Sequence, residues 1–420
     1  MTHSPPAPLP RGGFAALDAC VHCGFCLQAC PTFLATGDEA DGPRGRIELI
    51  RALERGELSS ADPGLAFHLD RCLGCRGCEP VCPSGVGYGE GLEEARARLS
   101  AERGAPLFAR LTLGVLTQPV ISRPVYAAAR MLRDSGVAGR LAGKSRFGFA
   151  MGMLAASAGE VGGGSPPRNL HHPPPSSTTS AVRLFRGCVM QGLFSHVHDA
   201  TIRTLTVNGF DVQEVPGQVC CGALHAHAGL RDPARALARQ NVAAFGATSD
   251  PIVVNSAGCG AQLKAYGHLL DSEPAAERFA ARVRDVTELL AERGPAPGAP
   301  LDVRVAYDAP CHLLHAQGIA EPPLAVLRAV PGAEVSPTAD SAQCCGSAGL
   351  YSTLEPELSR AVLAPKLERI LADPPDILAT ANPGCVMQLG AGLRAAGVHI
   401  VVRHPVELLD QSYRAAGLYQ

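Results

Sequence analysis

The sequence has no tryptophan, few aromatic residues (5%) and no strong excess of either charge. Its 37 Lys and Arg residues nearly balance 39 Asp and Glu residues, and the net charge of -2 argues against a nucleic-acid partner. No apolar run reaches the roughly 18 residues that a membrane span needs. The N-terminus also lacks a charged segment followed by an apolar core, so we expect no export signal. These absences predict a cytoplasmic protein that is soluble or attached peripherally to the inner face of the membrane.

Two motifs for organic cofactors are missing as well. The chain has neither the GxGxxG pattern of dinucleotide-binding folds nor the GxxxxGK[ST] loop that binds phosphates. Any two-electron chemistry at a flavin is therefore expected on a partner chain, with FAD bound only there. We assign no catalytic residue to this chain.

What the sequence does contain is 16 cysteines, eight of which form two copies of one pattern. Both copies read CxxCxxCxxxCP, the ligand pattern of bacterial two-cluster ferredoxins, in which the fourth cysteine binds the neighbouring cluster. The pattern predicts two [4Fe-4S] clusters. The expected ligands of the first are Cys20, Cys23, Cys26 and Cys82, and those of the second are Cys72, Cys75, Cys78 and Cys30.

Zinc and disulfide bonds are the competing explanations for these eight cysteines. Structural zinc sites usually take two pairs of cysteines, so the third and fourth cysteines of each loop would be surplus. Disulfides form poorly between residues this close in a loop, and a reducing cytosol disfavours them. The spacing and the duplication therefore favour iron-sulfur clusters.

The chain divides by composition into six segments. We expect a mainly helical ferredoxin-type domain and two duplicated α/β cysteine-rich units, which together form an α+β multi-domain protein. The expected segments are a flexible arm (1–13), the ferredoxin-type domain (14–100), a basic helical region (101–158), a Pro/Ser-rich linker (159–181), cysteine-rich unit 1 (182–298) and cysteine-rich unit 2 (299–420). The His171-His172 pair lies in the linker and is expected to be solvated rather than metal-binding.

A basic stretch follows the second cysteine loop. From Arg96 to Arg146 the basic residues exceed the acidic ones by eight, and apolar residues are interleaved with them. This pattern can form an amphipathic surface for anionic lipid or an acidic partner, although solvated helices lying over the cluster domain are the more common explanation. Pro119 and Pro124 are expected to interrupt any long helix here.

Beyond the linker a second cysteine pattern is duplicated. It consists of a single cysteine, a Cys-Cys-Gly triplet and a later cysteine, and matching positions are 123, 124 and 126 residues apart. A β-rich run precedes the single cysteine and the later cysteine in each unit, which predicts parallel strands whose ends carry the cysteines. The cysteines concerned are Cys188, Cys220, Cys221 and Cys259 in unit 1, and Cys311, Cys344, Cys345 and Cys385 in unit 2.

Each unit therefore offers four soft donors. Adjacent cysteines do not easily bind one tetrahedral ion together, so an additional iron-sulfur cluster fits better than zinc, while a metal-free scaffold stays open. Four histidines near these cysteines are candidates for proton relay or for a further ligand, although each is individually more typical of packing or surface positions. They are His225, His227, His312 and His315.

Taken together, the paired ferredoxin loops, the insert from Gly37 to Ile47 and the duplicated Cys-Cys-Gly units resemble the iron-sulfur subunits of bacterial glycolate oxidases. The resemblance implies an electron-transfer subunit of a glycolate or D-lactate dehydrogenase complex. Its partners would be FAD-containing subunits that oxidise the hydroxy acid, and its acceptor a quinone or another respiratory carrier. Such a subunit would not oxidise substrate alone.

The chain is also similar to heterodisulfide reductase subunits, in which a further cysteine in a terminal CxxC helps to hold a noncubane cluster. Here the corresponding stretches end in Gln262 and Gln388, so that cysteine is absent from both units. The resemblance therefore leaves a second hypothesis, a catalytic subunit that reduces a disulfide or a quinone at the Cys-Cys-Gly units.

Overall fold

The computed structural model describes residues 13–159 and 180–419. Most of the expected arm and linker, together with the His171-His172 pair, lies outside these residues. Within 13–159 the α-helices are α1 (Pro31–Thr36), α2 (Pro43–Glu54), α3 (Pro63–Asp70), α4 (Tyr88–Arg103), α5 (Leu107–Thr117), α6 (Pro119–Asp134), α7 (Val137–Leu141) and α8 (Arg146–Ala156).

The helices of the N-terminal part support the two cysteine loops. Helix α2 begins at Pro43, whose fixed φ suits a first helical position, and α3 begins after Asp62, whose carboxylate accepts hydrogen bonds from Gly64 and Leu65 N–H. Apolar residues from α2, α3 and α4 form one buried core beneath the loops; they include Ile47, Ile50, Leu53, Leu65, Leu69, Leu92 and Leu99. Between the two loops, the helical spacing of the apolar residues at 47, 49, 50 and 53 predicts a helix, and α2 is present there.

The expectation about the two prolines of the basic region is half right. Pro119 stands at the break between α5 and α6, but α6 runs through Pro124 to Asp134 without a break. Proline removes the backbone bond to the carbonyl of residue 120, and Val120 is exposed, so water can satisfy that oxygen. The helix therefore tolerates the proline where a buried helix would not.

The first cysteine-rich unit contains a four-stranded parallel sheet with the order β2-β1-β3-β4. Its elements are β1 (Ser180–Leu184), α9 (Val189–Leu193), α10 (Ser195–Val207), β2 (Phe210–Glu214), α11 (Ala223–His227), α12 (Arg231–Ala244), β3 (Ile252–Val254), α13 (Ala257–Lys264), α14 (Tyr266–Leu269), α15 (Pro274–Ala280), β4 (Val283–Asp285) and α16 (Val286–Arg293).

The second unit repeats this topology with the order β6-β5-β7-β8, again fully parallel. Its elements are β5 (Val303–Tyr307), α17 (Cys311–Leu314), α18 (Glu321–Arg328), β6 (Ala333–Pro337), α19 (Tyr351–Leu354), α20 (Pro356–Ala372), β7 (Ile377–Ala379), α21 (Pro383–Ala395), β8 (Val401–Arg403) and α22 (Pro405–Ala415). The predicted parallel strands ahead of each cysteine are therefore present in both units.

The two units pack against each other and against the helical part. Helix α10 of unit 1 packs on α22 of unit 2, and α8 packs on α21. The α10–α22 contact contains a buried ion pair in which Arg203 Nε and Nη2 each lie 2.7 Å from the Asp410 carboxylate. This packing fixes the orientation of the cysteine-bearing edges of both sheets.

Candidate functional site

The first cysteine loop lies at the surface. One groove is lined by Cys20, Cys23, Cys26 and Cys82, the set expected for the first cluster, with Cys78 at its inner side. All 16 cysteines lie in the part of the chain that the structure describes, and Cys23 alone among them is exposed. Val21 and Phe25 are 67% and 64% exposed beside it. This end of the cysteine array is therefore accessible to a partner.

The second set is enclosed. Cys30, Cys72, Cys75 and Cys78 are all buried, and burial raises the pKa of the Cys78 thiol well above its usual range. The Cys72 Sγ lies 3.4 Å from Gly74 N and 3.5 Å from Tyr88 Oη, and both groups can donate to it. Donors of this kind are the usual outer partners of thiolate ligands. Four enclosed thiols with such donors fit a cluster.

Two buried arginines lie next to this second set. Arg96 Nη2 donates to the carbonyls of Leu69, Asp70 and Cys72, at 2.8, 3.2 and 2.6 Å. Arg46 donates to Thr32 Oγ1 and His68 O, at 3.0 and 2.7 Å. Desolvation opposes ionisation of the Cys72 thiol, but the positive charges of Arg46 and Arg96 outweigh it and lower its pKa. This pair stabilises negative charge at the second loop.

The second loop also contacts both cysteine-rich units. Cys75 packs in one buried cluster with Cys311 and Cys344 of unit 2. Tyr351 Oη donates to Arg71 O at 2.9 Å, just ahead of the loop. A Cβ at Gly74 would lie 3.5 Å from the His227 ring of unit 1. The ferredoxin-type loops are therefore continuous with the C-terminal cysteines.

In each unit the four cysteines form two pairs of sulfur atoms. Cys188 Sγ lies 3.3 Å from Cys220 Sγ, and Cys221 Sγ lies 3.4 Å from Cys259 Sγ. Unit 2 has the same division, with 3.9 Å between the sulfurs of Cys311 and Cys344, and 3.4 Å between those of Cys345 and Cys385. None of these distances approaches the roughly 2.05 Å of a disulfide. The vicinal cysteines of each unit thus turn to different partners.

The spread of the sulfurs bears on the choice of metal. A tetrahedral zinc site with Zn–S bonds of about 2.3 Å brings all four sulfurs within about 3.8 Å of one another. Among the described residues, no three cysteine sulfurs lie within 4.8 Å of each other. The sulfurs of each unit therefore do not form the compact tetrahedron of a single zinc ion.

The glycine of each Cys-Cys-Gly triplet permits this division. Gly222 and Gly346 have φ values of +86° and +83°, a left-handed conformation that favours glycine. At Gly346 a Cβ would also lie only 2.5 Å from Ser359 O. The triplet can therefore turn sharply enough for its two thiols to point to different partners.

Both sets of cysteines line one cavity of about 300 Å³ between the units. Two hydrogen bonds join the units beside it. Ala257 N–H donates to the backbone oxygen of Ala381 at 3.1 Å, and Gly258 N–H donates to the side-chain Oδ1 of Asn382 at 3.1 Å. The sequence predicted convergence at one edge of each unit, and the two edges turn out to face each other. The cavity is lined by Cys188, Cys220, Cys221, Cys259, Cys311, Cys344, Cys345 and Cys385.

Around this cavity lie buried polar atoms that have no hydrogen-bond partner among the described residues. Tyr126 Oη and His312 Nε2 are such atoms, and both side chains line the cavity wall. His227 also lines it, and burial together with Arg96 and Arg76 lowers the pKa of its imidazole to about 3, so the ring is neutral. Groups of this kind are suited to hydrogen-bond a cluster or a ligand held by the cysteines.

The other two candidate histidines are less favourably placed. His315 Nε2 lies 2.8 Å from Ala342 O, and neither His315 nor His225 lines the cavity. At the two positions where the resemblance expects a further cysteine, Gln262 and Gln388 are buried. Gln388 Nε2 donates to Ser359 Oγ at 2.9 Å, so it serves as part of the unit 2 core.

Sequence reasoning missed the arginines and Tyr126. Arg96 belongs to the basic stretch and was expected at the surface, but it is buried against the backbone of the second loop. Arg46 lies in the insert from Gly37 to Ile47 that the chain shares with the resembling family, and this was the only indication of a role for it. Nothing in the sequence indicated a role for Tyr126, because its position beside the cavity depends on how α6 packs on unit 1.

Two families of protein domains match this chain. Residues 16–86 match the 4Fe-4S dicluster domain, and residues 182–264 and 305–390 match the Cysteine-rich domain. The first match spans both ferredoxin-type loops, and the second falls twice, once on each unit. The duplication inferred from cysteine spacing and the iron-sulfur character of the N-terminal loops are confirmed.

Individual relatives match over nearly the whole chain. A "Probable glycolate oxidase iron-sulfur subunit" from Bacillus subtilis is 33% identical over 95% of this chain and 94% of its own length. The "Glycolate oxidase iron-sulfur subunit" of Escherichia coli is 34% identical over 94% of both chains. "Lactate utilization protein A" from Geobacillus thermodenitrificans is 32% identical over 54% of this chain and 98% of its own length.

Proposed function

Because the chain belongs to the family of glycolate oxidase iron-sulfur subunits, we propose that it carries electrons for the oxidation of glycolate, or of D-lactate, by a partner. The partner subunits bind FAD and take the hydride from the hydroxy acid. This chain passes the electrons on to a quinone or another respiratory acceptor. It is the iron-sulfur subunit of the complex and not its catalytic subunit.

The proposed ligands are the two sets predicted from the loops: Cys20, Cys23, Cys26 and Cys82 for the first cluster, and Cys72, Cys75, Cys78 and Cys30 for the second. Bound clusters supply one-electron transfer, so that a two-electron flavin reaction can proceed as two single steps. The protein's own residues determine the environment. Arg46 and Arg96 favour negative charge at the second set, and the buried core beneath the loops excludes water.

The observation that carries the proposal is the packing of Cys75 with Cys344 in one buried cluster. It links the second ferredoxin-type set to the cysteines of unit 2, while Cys23 marks the exposed end of the array. We propose that electrons enter near Cys23, where Val21 and Phe25 offer apolar contacts to the flavin subunit. They then pass through the second set toward the shared cavity.

We propose iron-sulfur ligation for the cysteines of the two C-terminal units as well. The sulfur spacing and the partnerless donors around the cavity support this more than zinc or a metal-free scaffold. We do not propose disulfide-reductase chemistry, because Gln262 and Gln388 replace the further cysteines of the heterodisulfide reductase pattern.

The division into segments and the cellular location are also proposals. We retain the domains at 14–100, 101–158, 182–298 and 299–420, with a linker at 159–181. No helix in residues 13–159 or 180–419 combines the length and apolarity needed to cross a bilayer. We propose a cytoplasmic protein that attaches to the inner face of the membrane.

Two substitutions test the direction of electron flow in the purified complex with its flavin subunits. Cys344→Ser should leave glycolate-driven reduction of the ferredoxin-type clusters at the parent rate, but slow reduction of a water-soluble quinone about tenfold or more. Cys23→Ser should slow the first step itself. Stopped-flow absorption of the clusters and steady-state quinone reduction report the two steps separately.

Three results would contradict the proposal. If Cys344→Ser slows both steps equally, or slows neither, the unit 2 cysteines are not on the route. If anaerobic capture of the tagged chain recovers no flavoprotein that oxidises a hydroxy acid, the assigned role is wrong. An iron and sulfide count below that of two clusters after anaerobic reconstitution would remove the ligand assignment.

A further inference from the structure

Helix α6 has an unusual orientation, with its apolar face turned to solvent. Val120, Ile121, Val125, Met131 and Leu132 are all exposed, and Val120 and Met131 reach 85% and 75%. Their spacing places them on one side of the helix. A surface helix of a globular protein normally buries such a face, so this one is available for a partner.

The opposite face of α6 is polar and is held by specific hydrogen bonds. Arg130 Nη1 donates to Gly192 O at 2.6 Å, and Arg133 Nη1 donates to Leu193 O at 2.8 Å, both at the end of α9. Arg133 Nη1 also donates to Ser157 O at 3.0 Å. These bonds fix the orientation of the helix, so its apolar face is a defined surface of the folded chain.

Helix α5 contacts α6 and extends the exposed apolar area. Leu107, Phe108 and Leu111 are 68%, 49% and 62% exposed. We call these eight side chains the α5–α6 patch: Leu107, Phe108, Leu111, Val120, Ile121, Val125, Met131 and Leu132. The patch shares no residue with the groove around Cys23, so it is separate from the surface proposed for the flavin subunit.

Positive charge without a counterpart lies on and beside these helices. Arg110 and Arg123 are exposed on α5 and α6, and Arg140 and Lys144 are exposed in the segment that follows. None of the four side chains has a hydrogen bond or ion pair within residues 13–159 or 180–419. Asp134, by contrast, is already paired with Arg133 at 2.7 Å.

We infer that the α5–α6 patch binds the surface of an anionic lipid bilayer. Exposed leucine, phenylalanine and isoleucine side chains beside unpaired arginines are the composition of helices that lie in the interface of a membrane. Arginines at the edge of an apolar face can extend to lipid phosphates while their stems stay apolar. A second copy of this chain fits less well, because it would bring the same cations together. The inference rests on the membrane attachment proposed above and names the surface responsible for it, but it does not depend on the proposed route of electron transfer.

Flotation of the intact reconstituted protein with vesicles tests it. The protein should float with vesicles of equal parts phosphatidylglycerol and phosphatidylcholine, and binding should weaken in high salt. Replacing Val120, Ile121 and Met131 together with serine should reduce binding about tenfold or more. All three side chains are exposed, so iron content and far-UV circular dichroism should stay at the parent values.

A matched control uses exposed apolar residues elsewhere. Val401 and Leu418 are 44% and 40% exposed outside the patch, and Val401→Thr with Leu418→Ser should leave vesicle binding unchanged. Equal binding by the parent and the triple serine variant would overturn the inference, as would failure of the parent to float. Light scattering adds one more outcome: a parent dimer that the triple substitution converts to a monomer would assign the patch to a second copy.

Discussion

At the scale of single residues, the charge environment of the second cysteine set depends on two arginines that are far from it in sequence. Arg96 reaches the Cys72 carbonyl at 2.6 Å from α4, and Arg46 approaches from α2. The cysteines could be predicted because their ligand spacing is local. The arginines could not, because the tertiary packing of α2 and α4 brings them to the loop.

Replacing Arg96 with glutamine should therefore lower the reduction potential of the second cluster. Removing a buried positive charge beside Cys72 disfavours the extra electron, and we expect a fall on the order of tens of millivolts. The first cluster should keep its potential. Redox titration followed by electron paramagnetic resonance can measure the two signals separately.

Two further variants distinguish charge from structure. Arg96→Lys keeps the charge and should largely restore the potential, although it cannot make all the backbone hydrogen bonds. Arg98 lies on the same helix but is exposed beside Glu102, so Arg98→Gln should change neither cluster. Equal shifts in Arg96→Gln and Arg98→Gln would contradict a specific role of Arg96.

At the scale of secondary structure elements, the periodicity of the sequence predicted where strands and helices form. It did not predict which face of a helix is buried. The β-rich runs ahead of the single cysteines became parallel strands, and the insert became α2, because local pattern dominates there. Arg130 and Arg133 were counted toward a basic surface, but α6 turns them inward to the end of α9. Charge pattern alone does not reveal which face of a helix finds hydrogen-bond partners.

The packing of α6 on α9 requires a glycine at position 192. A Cβ at Gly192 would lie 2.6 Å from atoms of the Tyr126 ring. Gly192→Ala should therefore lower the free energy of unfolding by roughly 1–3 kcal/mol, because the overlap outweighs the better helix propensity of alanine. Urea unfolding followed by far-UV circular dichroism can measure the change.

Gly114 provides the matched control for this substitution. It lies in α5, and a Cβ there would meet nothing within 4 Å. Gly114→Ala should stabilise the protein by about 0.5–1 kcal/mol, since alanine is the better helix former. If Gly192→Ala proved as stable as Gly114→Ala, the close approach of Tyr126 to α9 would be wrong.

At the scale of the whole molecule, the convergence of both cysteine-rich units on one cavity could not be predicted. The duplicated spacing indicated two similar modules, each with its cysteines at one edge. Whether the two edges face each other depends on contacts between residues more than 200 positions apart, such as Arg203 and Asp410. Such pairings leave no local signal in a single sequence.

Breaking the ion pair between Arg203 and Asp410 should destabilise the packing of the two units on each other. Asp410 accepts both bonds of Arg203, and although burial opposes it, these bonds lower the pKa of the Asp410 carboxyl. Asp410→Asn leaves a buried guanidinium without its counter-charge, which should cost about 3–5 kcal/mol of unfolding free energy. A lower urea midpoint and faster proteolysis between the units are the expected readouts.

The exposed pair of Arg304 and Asp373 serves as the control. Asp373 is 90% exposed at its side chain, so Asp373→Asn should leave the urea midpoint unchanged. If Asp410→Asn behaved like Asp373→Asn, the packing of the two units on each other would have to depend on apolar contacts of α10 and α22 alone.

The single exposed cysteine has a practical consequence for handling the protein in air. Dioxygen and other oxidants reach Cys23 directly from solvent, whereas the remaining fifteen thiols are wholly or partly buried. Aerobic damage should therefore begin at the end through which we propose that electrons enter. A briefly aerated sample would then lose communication with its flavin partner while its inner iron remains in place, and total iron would overestimate the fraction still competent.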